Sequence, residues 1–293
     1  KSLIIIPYLD STTNYLLSMI NFFRRIRKQL ADDNKPLKYM RYAVGEIVLV
    51  VIGILIALQI NNWNEERNKN NKIETYLIEL QESLRKDIHD FNVLEDVNIF
   101  RARSVSYLMK LTGNKSDSFD DSTYTIDSTY TISFNPIPKK YWGNLGSEYD
   151  PELIKLAFTW SGRVSMAKIN TQVYEELKNT GLFSMIQEKN IKETINTYYS
   201  DLNWSFNEIK ESKNLDITNE WNKYLMNNLG ITISDVQGME DPLTLLKAPL
   251  TVVYLRDLGD GAYYRAAMGK DMQQQAQKLI NLIQEEIDFK NNQ

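Results

Sequence analysis

The chain has 293 residues, of which 25% are charged and 11% aromatic, as in ordinary globular proteins. It contains no cysteine, which excludes disulfides, thiolate zinc sites and cysteine nucleophiles. Seven basic and two acidic side chains give residues 19–41 a charge of +5, Glu46 adds −1, and residues 61–293 hold −8 within a total of −4. An acidic main part argues against nucleic acid as a partner.

Residues 1–18 precede Met19 and lack both the basic start and the small-residue cleavage site of a signal peptide. We expect Met19 to be the biological start and residues 1–18 to be an upstream over-extension or disordered; a genuine extension is the alternative. Residues 19–41 place apolar side chains at helical spacing among arginines. This pattern is typical of a cytoplasmic amphipathic helix on an anionic membrane surface, although a plain basic flank explains it equally well.

Residues 42–60 read YAVGEIVLVVIGILIALQI. As a helix they would span roughly 28 Å, close to the thickness of a bilayer's hydrocarbon core. They predict a transmembrane helix, because a buried helix of a soluble protein is rarely apolar on all sides. The twenty residues before this segment hold seven Lys or Arg and the twenty after it hold three. This asymmetry predicts a cytoplasmic N-terminus and residues 61–293 on the outer side.

Four residues of this segment are candidates for helix association. Gly45, Gly53 and Ala57 fall on one face, where small side chains permit close approach of a second helix. A carboxylate within a span is costly, and Glu46 has two readings. It pairs locally with Arg41 or Lys38, or it contacts a partner helix.

A single long helix is predicted from residue 65 to about residue 112. Its apolar positions recur about every 3.5 residues, with Asn98 and Ala102 filling a gap in the register: Ile73, Leu77, Leu80, Leu84, Ile88, Phe91, Leu94, Val105 and Leu108. Two accounts stay open for this stripe. It packs inside the chain's own bundle, or it forms a parallel dimeric coiled coil through Leu77, Leu84 and Phe91.

Residues 113–140 are rich in Ser, Asp and Thr and predict a loop. Within it the sequence DSTYTI occurs twice in succession, at residues 121–132. We interpret this repeat as a tolerated loop insertion; a short hairpin is the alternative, since Tyr, Thr and Ile favour strands.

Helical patterns then resume to the end of the chain. Asp150 followed by Pro151 predicts a helix start, and Gly181 predicts a left-handed end to the helix of residues 171–180. Further helices are expected over residues 191–209 and 221–229, after Asp241, and over residues 262–289. The predicted fold is therefore all-α: one N-terminal transmembrane helix, a long helix and an extramembrane helical bundle.

Two stretches resemble an uncharacterised membrane-protein family, a domain of unknown function found in flavobacteria-like Gram-negative bacteria. The first is GEIVLVVIGILIALQINNWNEER at residues 45–67. The second is VYEELKNTGLFSMIQEKNIKETINTYY at residues 173–199, with these family-like positions: Tyr174, Leu177, Lys178, Gly181, Tyr198 and Tyr199. The resemblance implies a single-pass protein of the inner membrane with a periplasmic domain. It implies no chemistry, because the family has no assigned activity.

No catalytic or ligand-binding motif stands out. His89 is the only histidine, and one histidine without a second ligand is a poor metal site, so we expect a solvated surface residue. Glu148, Asp150 and Glu152 cluster between two tryptophans and could suggest a sugar cleft, but the last two already serve a helix start. We therefore expect no cofactor, no metal and no enzymatic activity.

Two functions fit these observations. The first is a membrane-anchored interaction or scaffold protein, with the bilayer and a second copy or another membrane or periplasmic protein as partners. The second is a periplasmic ligand sensor that acts through a membrane partner. A pocket with converging polar groups would favour the sensor, and a dry apolar interior would favour the scaffold.

Overall fold

The computed structural model describes residues 24–25, 28, 36–114, 126, 137–164, 168–206 and 208–291. Within these residues the chain is all-α, with helices and short helical turns and no strand, which confirms the predicted fold class. The predictions for residues 1–18, for the amphipathic segment and for the DSTYTI repeat lie outside the described residues, apart from a few isolated positions.

Seven α-helices are described in chain order. They are α1 Pro36–Leu111, α2 Pro151–Ser161, α3 Gln172–Asn179, α4 Leu182–Met185, α5 Lys189–Phe206, α6 Glu208–Tyr224 and α7 Pro249–Asn291. Short 3-10 turns occur at Lys139–Tyr141, Asp235–Gly238 and Pro242–Lys247, and a π turn, Leu225–Leu229, follows α6. The segment predicted as one helix over residues 191–209 lies in α5 and the first turn of α6.

The predicted helix ends are confirmed by their geometry. The Asp150 carboxylate accepts hydrogen bonds from the backbone N–H groups of Glu152 and Leu153, and so satisfies two of the donors that a helix start leaves unpaired. Gly181 follows α3 with φ 74°, a left-handed conformation in which a side chain would be strained. Asp241 caps the turn at Pro242 through the N–H of Leu243.

The described chain separates into two compact units, residues 1–70 and residues 71–293. In the first unit, every side chain from Ile47 to Ile60 is exposed. Helix α1 contains a stretch that is long and apolar enough to cross a membrane, and none of that stretch is buried. A core helix of a soluble protein would instead be mostly covered by its neighbours.

The second unit has two apolar cores, and each is named after one of its central residues. The Phe91 core joins α1 to α3, α5 and the second half of α7, through Leu77, Leu84, Phe91, Leu177, Ile195, Leu202, Met272, Leu279 and Ile283 among others. The Trp160 core joins the end of α1 to α2, α6 and the first half of α7, through Phe100, Val105, Leu108, Ile154, Phe158, Trp160, Trp221, Leu255 and Leu258 among others. Burial of these side chains is the main stabilising contribution to the unit.

The stripe on α1 is buried inside its own chain. Its buried positions alternate in steps of four and three residues: Ile73, Leu77, Leu80, Leu84, Asp87, Phe91, Leu94, Asn98, Arg101, Val105 and Leu108. The chain's own helices cover Leu77, Leu84 and Phe91, as the intramolecular account predicts, and a dimeric coiled coil stays a prediction. The predicted register also needs correction, because Asp87 is buried where Ile88 was expected, and Ile88 is only half-buried.

Helix α7 runs antiparallel to α1. Three contacts define the register: Gly259 lies against Val105, Gly269 against the carbonyl of Phe91, and the Gln81 side chain donates to the carbonyl of Ile280 at 2.9 Å. The predicted start of this helix at residue 262 was wrong, since α7 begins at Pro249. Gly259 lies inside this helix and permits close approach of α1.

Candidate functional site

Three polar residues interrupt the buried apolar stripe of α1: Asp87, Asn98 and Arg101. Each lies at a stripe position and faces the bundle interior rather than solvent. Buried polar groups are costly unless they are hydrogen-bonded, so these stripe positions identify two polar centres in the interior of the unit. We call them the Asp87 centre and the Arg101 cleft.

The Asp87 centre joins α1, α5 and the segment before α3. The Asp87 carboxylate is 1% exposed. It accepts a hydrogen bond from the Tyr198 hydroxyl at 2.8 Å and one from the Asn170 side-chain amide at 2.8 Å. These bonds link three parts of the sequence that lie far apart along the chain. Two good donors satisfy part of the carboxylate's capacity and fix its orientation.

The family-like positions gather beside this centre. Tyr198 and Tyr199 are both buried on α5, and the Tyr199 ring stacks on the Tyr174 ring at 4.0 Å and 4°. Leu177 is fully buried in the Phe91 core. Lys178 places its ammonium 4.8 Å from the centroid of the Tyr174 ring, a cation–π distance. The structure thus gives these positions a packing role around Asp87, while Gly181 ends α3.

Burial changes the ionisation of this centre. Desolvation raises the pKa of Asp87 to about 6, against the lowering effect of its hydrogen bonds from Asn170 and Tyr198. Desolvation also raises the pKa of Tyr198 and Tyr199, with the negative charge of Asp87 adding to the effect. The Tyr199 hydroxyl is buried and has no hydrogen-bond partner. The centre can therefore hold a proton on Asp87 up to a pH of about 6.

The Arg101 cleft lies between α1, α6 and α7. Its walls are apolar at Val164, Ile217 and Leu258, and charged at Arg101, Arg265 and Asp257. The cavity volume is about 10 Å³, roughly the space of one water molecule. The cleft is thus a small pocket in which polar groups converge, the feature that would favour a ligand sensor.

Arg101 is a buried, positively charged residue of this cleft. It is 5% exposed, and it donates to the Asn98 side-chain oxygen at 2.7 Å and to the carbonyl of Ser161 at 3.3 Å. Its Nε is buried without a hydrogen-bond partner. Desolvation, with a smaller effect from the charge of Arg265, lowers the pKa of Arg101 to about 10. Neither of its hydrogen-bonding acceptors carries a formal charge.

The remaining sequence candidates stay apart from both centres. His89 is exposed, as expected, and so are Glu148 and Glu152. The Tyr141 hydroxyl donates to the Asp150 carboxylate at 2.7 Å, and this bond together with the two backbone N–H bonds lowers the pKa of Asp150 despite partial burial. Asp150 thus serves the start of α2.

The candidates in the apolar segment are not brought into any site. A Cβ added at Gly45 or Gly53 would have no heavy atom within 4 Å, Ala57 is exposed and Glu46 is half-buried. Their role in helix association, and the pairing of Glu46 with Arg41 or Lys38, stay predictions. In the part of the chain that is described, no three metal-ligating side chains come together.

Asp87, Asn170, Arg101 and Arg265 were not among the candidates predicted from the sequence. A signal for two of them was present, because Asp87 and Arg101 occupy exact positions in the alternating four-and-three stripe. The signals for Asn170 and Arg265 were not local, because their positions depend on how α3 and α7 pack against α1.

Comparison with protein families matches residues 46–119 to a family of unknown function, DUF6090. The match covers about a quarter of the chain and contains almost all of the first stretch singled out above. The chain therefore carries an uncharacterised domain in this region, in agreement with the coarser part of the predicted resemblance. Comparisons with curated proteins and with solved structures gave no match.

Proposed function

We propose that this protein is a single-pass membrane protein whose outer helical domain works by binding other proteins rather than by catalysis. The observation that carries the membrane assignment is the apolar stretch of α1, none of which is buried within the chain. An exposed apolar helix of this length is costly in water, and a bilayer would remove that cost.

The orientation rests on charge. Seven basic residues precede the apolar segment and three follow it within twenty residues, and basic residues resist translocation. The N-terminus is therefore placed in the cytoplasm and residues 61–293 outside. In a Gram-negative cell, as the resemblance implies, the anchor would lie in the inner membrane and the domain in the periplasm.

A topology reporter tests this assignment. A reporter that is active only in the cytoplasm, fused after Gln293, is expected to be silent, and one that is active only outside is expected to be active. The same pair of reporters placed before Arg41 should give the opposite result. Cytoplasmic activity after Gln293 would contradict the orientation, and recovery of the chain in the soluble fraction would contradict the anchor.

The interaction role is supported by three exposed apolar side chains on one side of α7. Leu250, Val253 and Tyr264 are each more than half exposed, and their spacing of three and eleven residues places them on one side of the helix. Solvent-exposed apolar groups that share one face are typical of contact surfaces. A photo-crosslinking residue at Val253 is expected to give a discrete crosslinked product in intact membranes. The same residue at exposed Lys278 serves as the control; equal products at both positions would contradict this surface.

A ligand sensor is the second candidate, and the Arg101 cleft is the observation that favours it. The cleft combines buried polar groups with apolar walls, as small-molecule sites do. In this second candidate function, a membrane partner carries the signal of the domain to the cytoplasm.

A further inference from the structure

We propose that the Arg101 cleft binds a small carboxylate, a compound with one carboxylate group and a short apolar tail, and that Arg101 is its principal ligand. This inference goes beyond the membrane anchor and the protein-binding role. It holds on whichever side of a membrane the domain lies.

The guanidinium of Arg101 has an unsatisfied hydrogen-bond donor. The Nε–H of Arg101 is buried and has no acceptor, while the other nitrogens of the guanidinium bond the neutral oxygens of Asn98 and Ser161. A buried donor without an acceptor is unfavourable, and more so when it belongs to a charged group. A carboxylate oxygen at this position would supply both the missing acceptor and the missing negative charge.

A second positive charge, that of Arg265, lies in the same cleft. Arg265 is 3% exposed, lines the same cleft and is close enough to depress the pKa of Arg101. Two guanidinium groups in a partly desolvated site favour an anion between them. Asp257 also lines the cleft and is exposed, so its negative charge at the mouth opposes the anion. The proposal rests on Arg101, and Arg265 adds its charge to the same wall.

The size of the cavity and the residues of its walls limit what the cleft can hold. The enclosed part of the cleft, about 10 Å³, admits roughly one water-sized group, so a single carboxylate oxygen fits there and the rest of the compound lies in the open part of the cleft. The edge of a guanidinium presents two parallel N–H groups that match the two oxygens of a carboxylate. Val164, Ile217 and Leu258 form apolar walls that suit a short alkyl group.

Thermal unfolding of the full chain in detergent tests the proposal. Sodium acetate and sodium propionate are compared with sodium chloride and sodium phosphate at equal ionic strength and pH. We expect acetate and propionate to raise the melting temperature by about 3 °C or more at ten times their dissociation constant, with propionate at least as effective as acetate. Chloride and phosphate are expected to give smaller shifts.

Three variants assign the effect to the cleft. Arg101→Met keeps the length of the side chain without its charge and is expected to abolish the response to carboxylates. Arg256→Met, at an exposed arginine of α7, should leave the response to carboxylates unchanged. Asp257→Asn removes the opposing charge and should tighten the binding of acetate roughly threefold.

Each of the other outcomes overturns the proposal. Equal shifts with chloride and acetate would show a general salt effect, and a larger shift with phosphate would exclude the carboxylate class. A response that survives Arg101→Met would place the site elsewhere. If Arg101→Met does not fold, the Asp257→Asn measurement decides, because unchanged or weaker binding of acetate by that variant contradicts an anion in this cleft.

Discussion

Asp87 lies in a stripe that is otherwise mostly apolar, and the environment of its carboxyl differs from that of every exposed acid in the chain. Burial raises its pKa from 3.8 to about 6, so between these pH values the folded chain holds a proton that the unfolded chain has lost. The free energy of unfolding therefore falls as the pH rises through this interval. The cost of the buried charge is absent below pH 4 and complete above about pH 6.

The first prediction at the residue scale is that Asp87→Asn removes this dependence, because the amide cannot ionise. Relative to the variant, the wild-type chain should lose on the order of 2–3 kcal/mol of unfolding free energy between pH 4 and pH 7. Denaturation followed by circular dichroism at several pH values measures the difference. Asp260→Asn, at an exposed position of α7, is the control and should follow the wild type. Parallel stability curves for wild type and Asp87→Asn would contradict the raised pKa.

At the scale of elements, the packing of α7 against α1 depends on two glycines. A Cβ at Gly259 would lie 2.9 Å from Cγ1 of Val105, whereas a Cβ at Gly261 would have no heavy atom within 4 Å. Both glycines lie inside the same helix, so their helix propensities are alike. They differ only in what a methyl group would meet.

Alanine substitutions at these two positions should therefore change the free energy of unfolding in opposite directions. Gly259→Ala is expected to lower the free energy of unfolding by about 1–3 kcal/mol, because the new methyl group displaces Val105. Gly261→Ala is expected to raise it by about 0.5–1 kcal/mol, because alanine favours the helix. Chemical denaturation of both variants gives the comparison. The same sign of change at both positions would show that α7 does not approach α1 as closely as described.

At the scale of the whole molecule, the second unit closes its own apolar surface. The Phe91 and Trp160 cores are formed entirely by residues after Asn71, while the exposed apolar segment belongs to the first unit. The buried stripe of α1 after Asn71 contributes to these cores.

A fragment of residues 64–293 should therefore be soluble without detergent and strongly helical, while the full chain should need detergent. Far-ultraviolet circular dichroism and gel filtration measure both properties. A spectrum dominated by strand would contradict the all-α fold. Aggregation of the fragment in the absence of detergent would show that the second unit needs the apolar segment to fold.

Local signals in the sequence predicted most of the helices and several of their ends. Asp150 and Gly181 were identified correctly, because a helix cap and a left-handed end depend on a few adjacent residues. The apolar segment at residues 42–60 was equally visible, because length and composition alone define a stretch that can cross a membrane. For the same reason the all-α class followed from periodicity in the sequence.

Only the tertiary structure decided what depends on distant parts of the chain. Whether the α1 stripe meets a second copy or its own chain is a question of competing surfaces, and α5 and α7 cover it here. The close approach of Gly259 to Val105 joins residues that lie far apart in sequence. Asp87 and Arg101 looked like ordinary charged residues on a helix until Tyr198, Asn170 and Arg265 were placed around them. Burial and hydrogen bonding are properties of the packed chain, and these alone turn a charged side chain into a proton-holding or anion-binding centre.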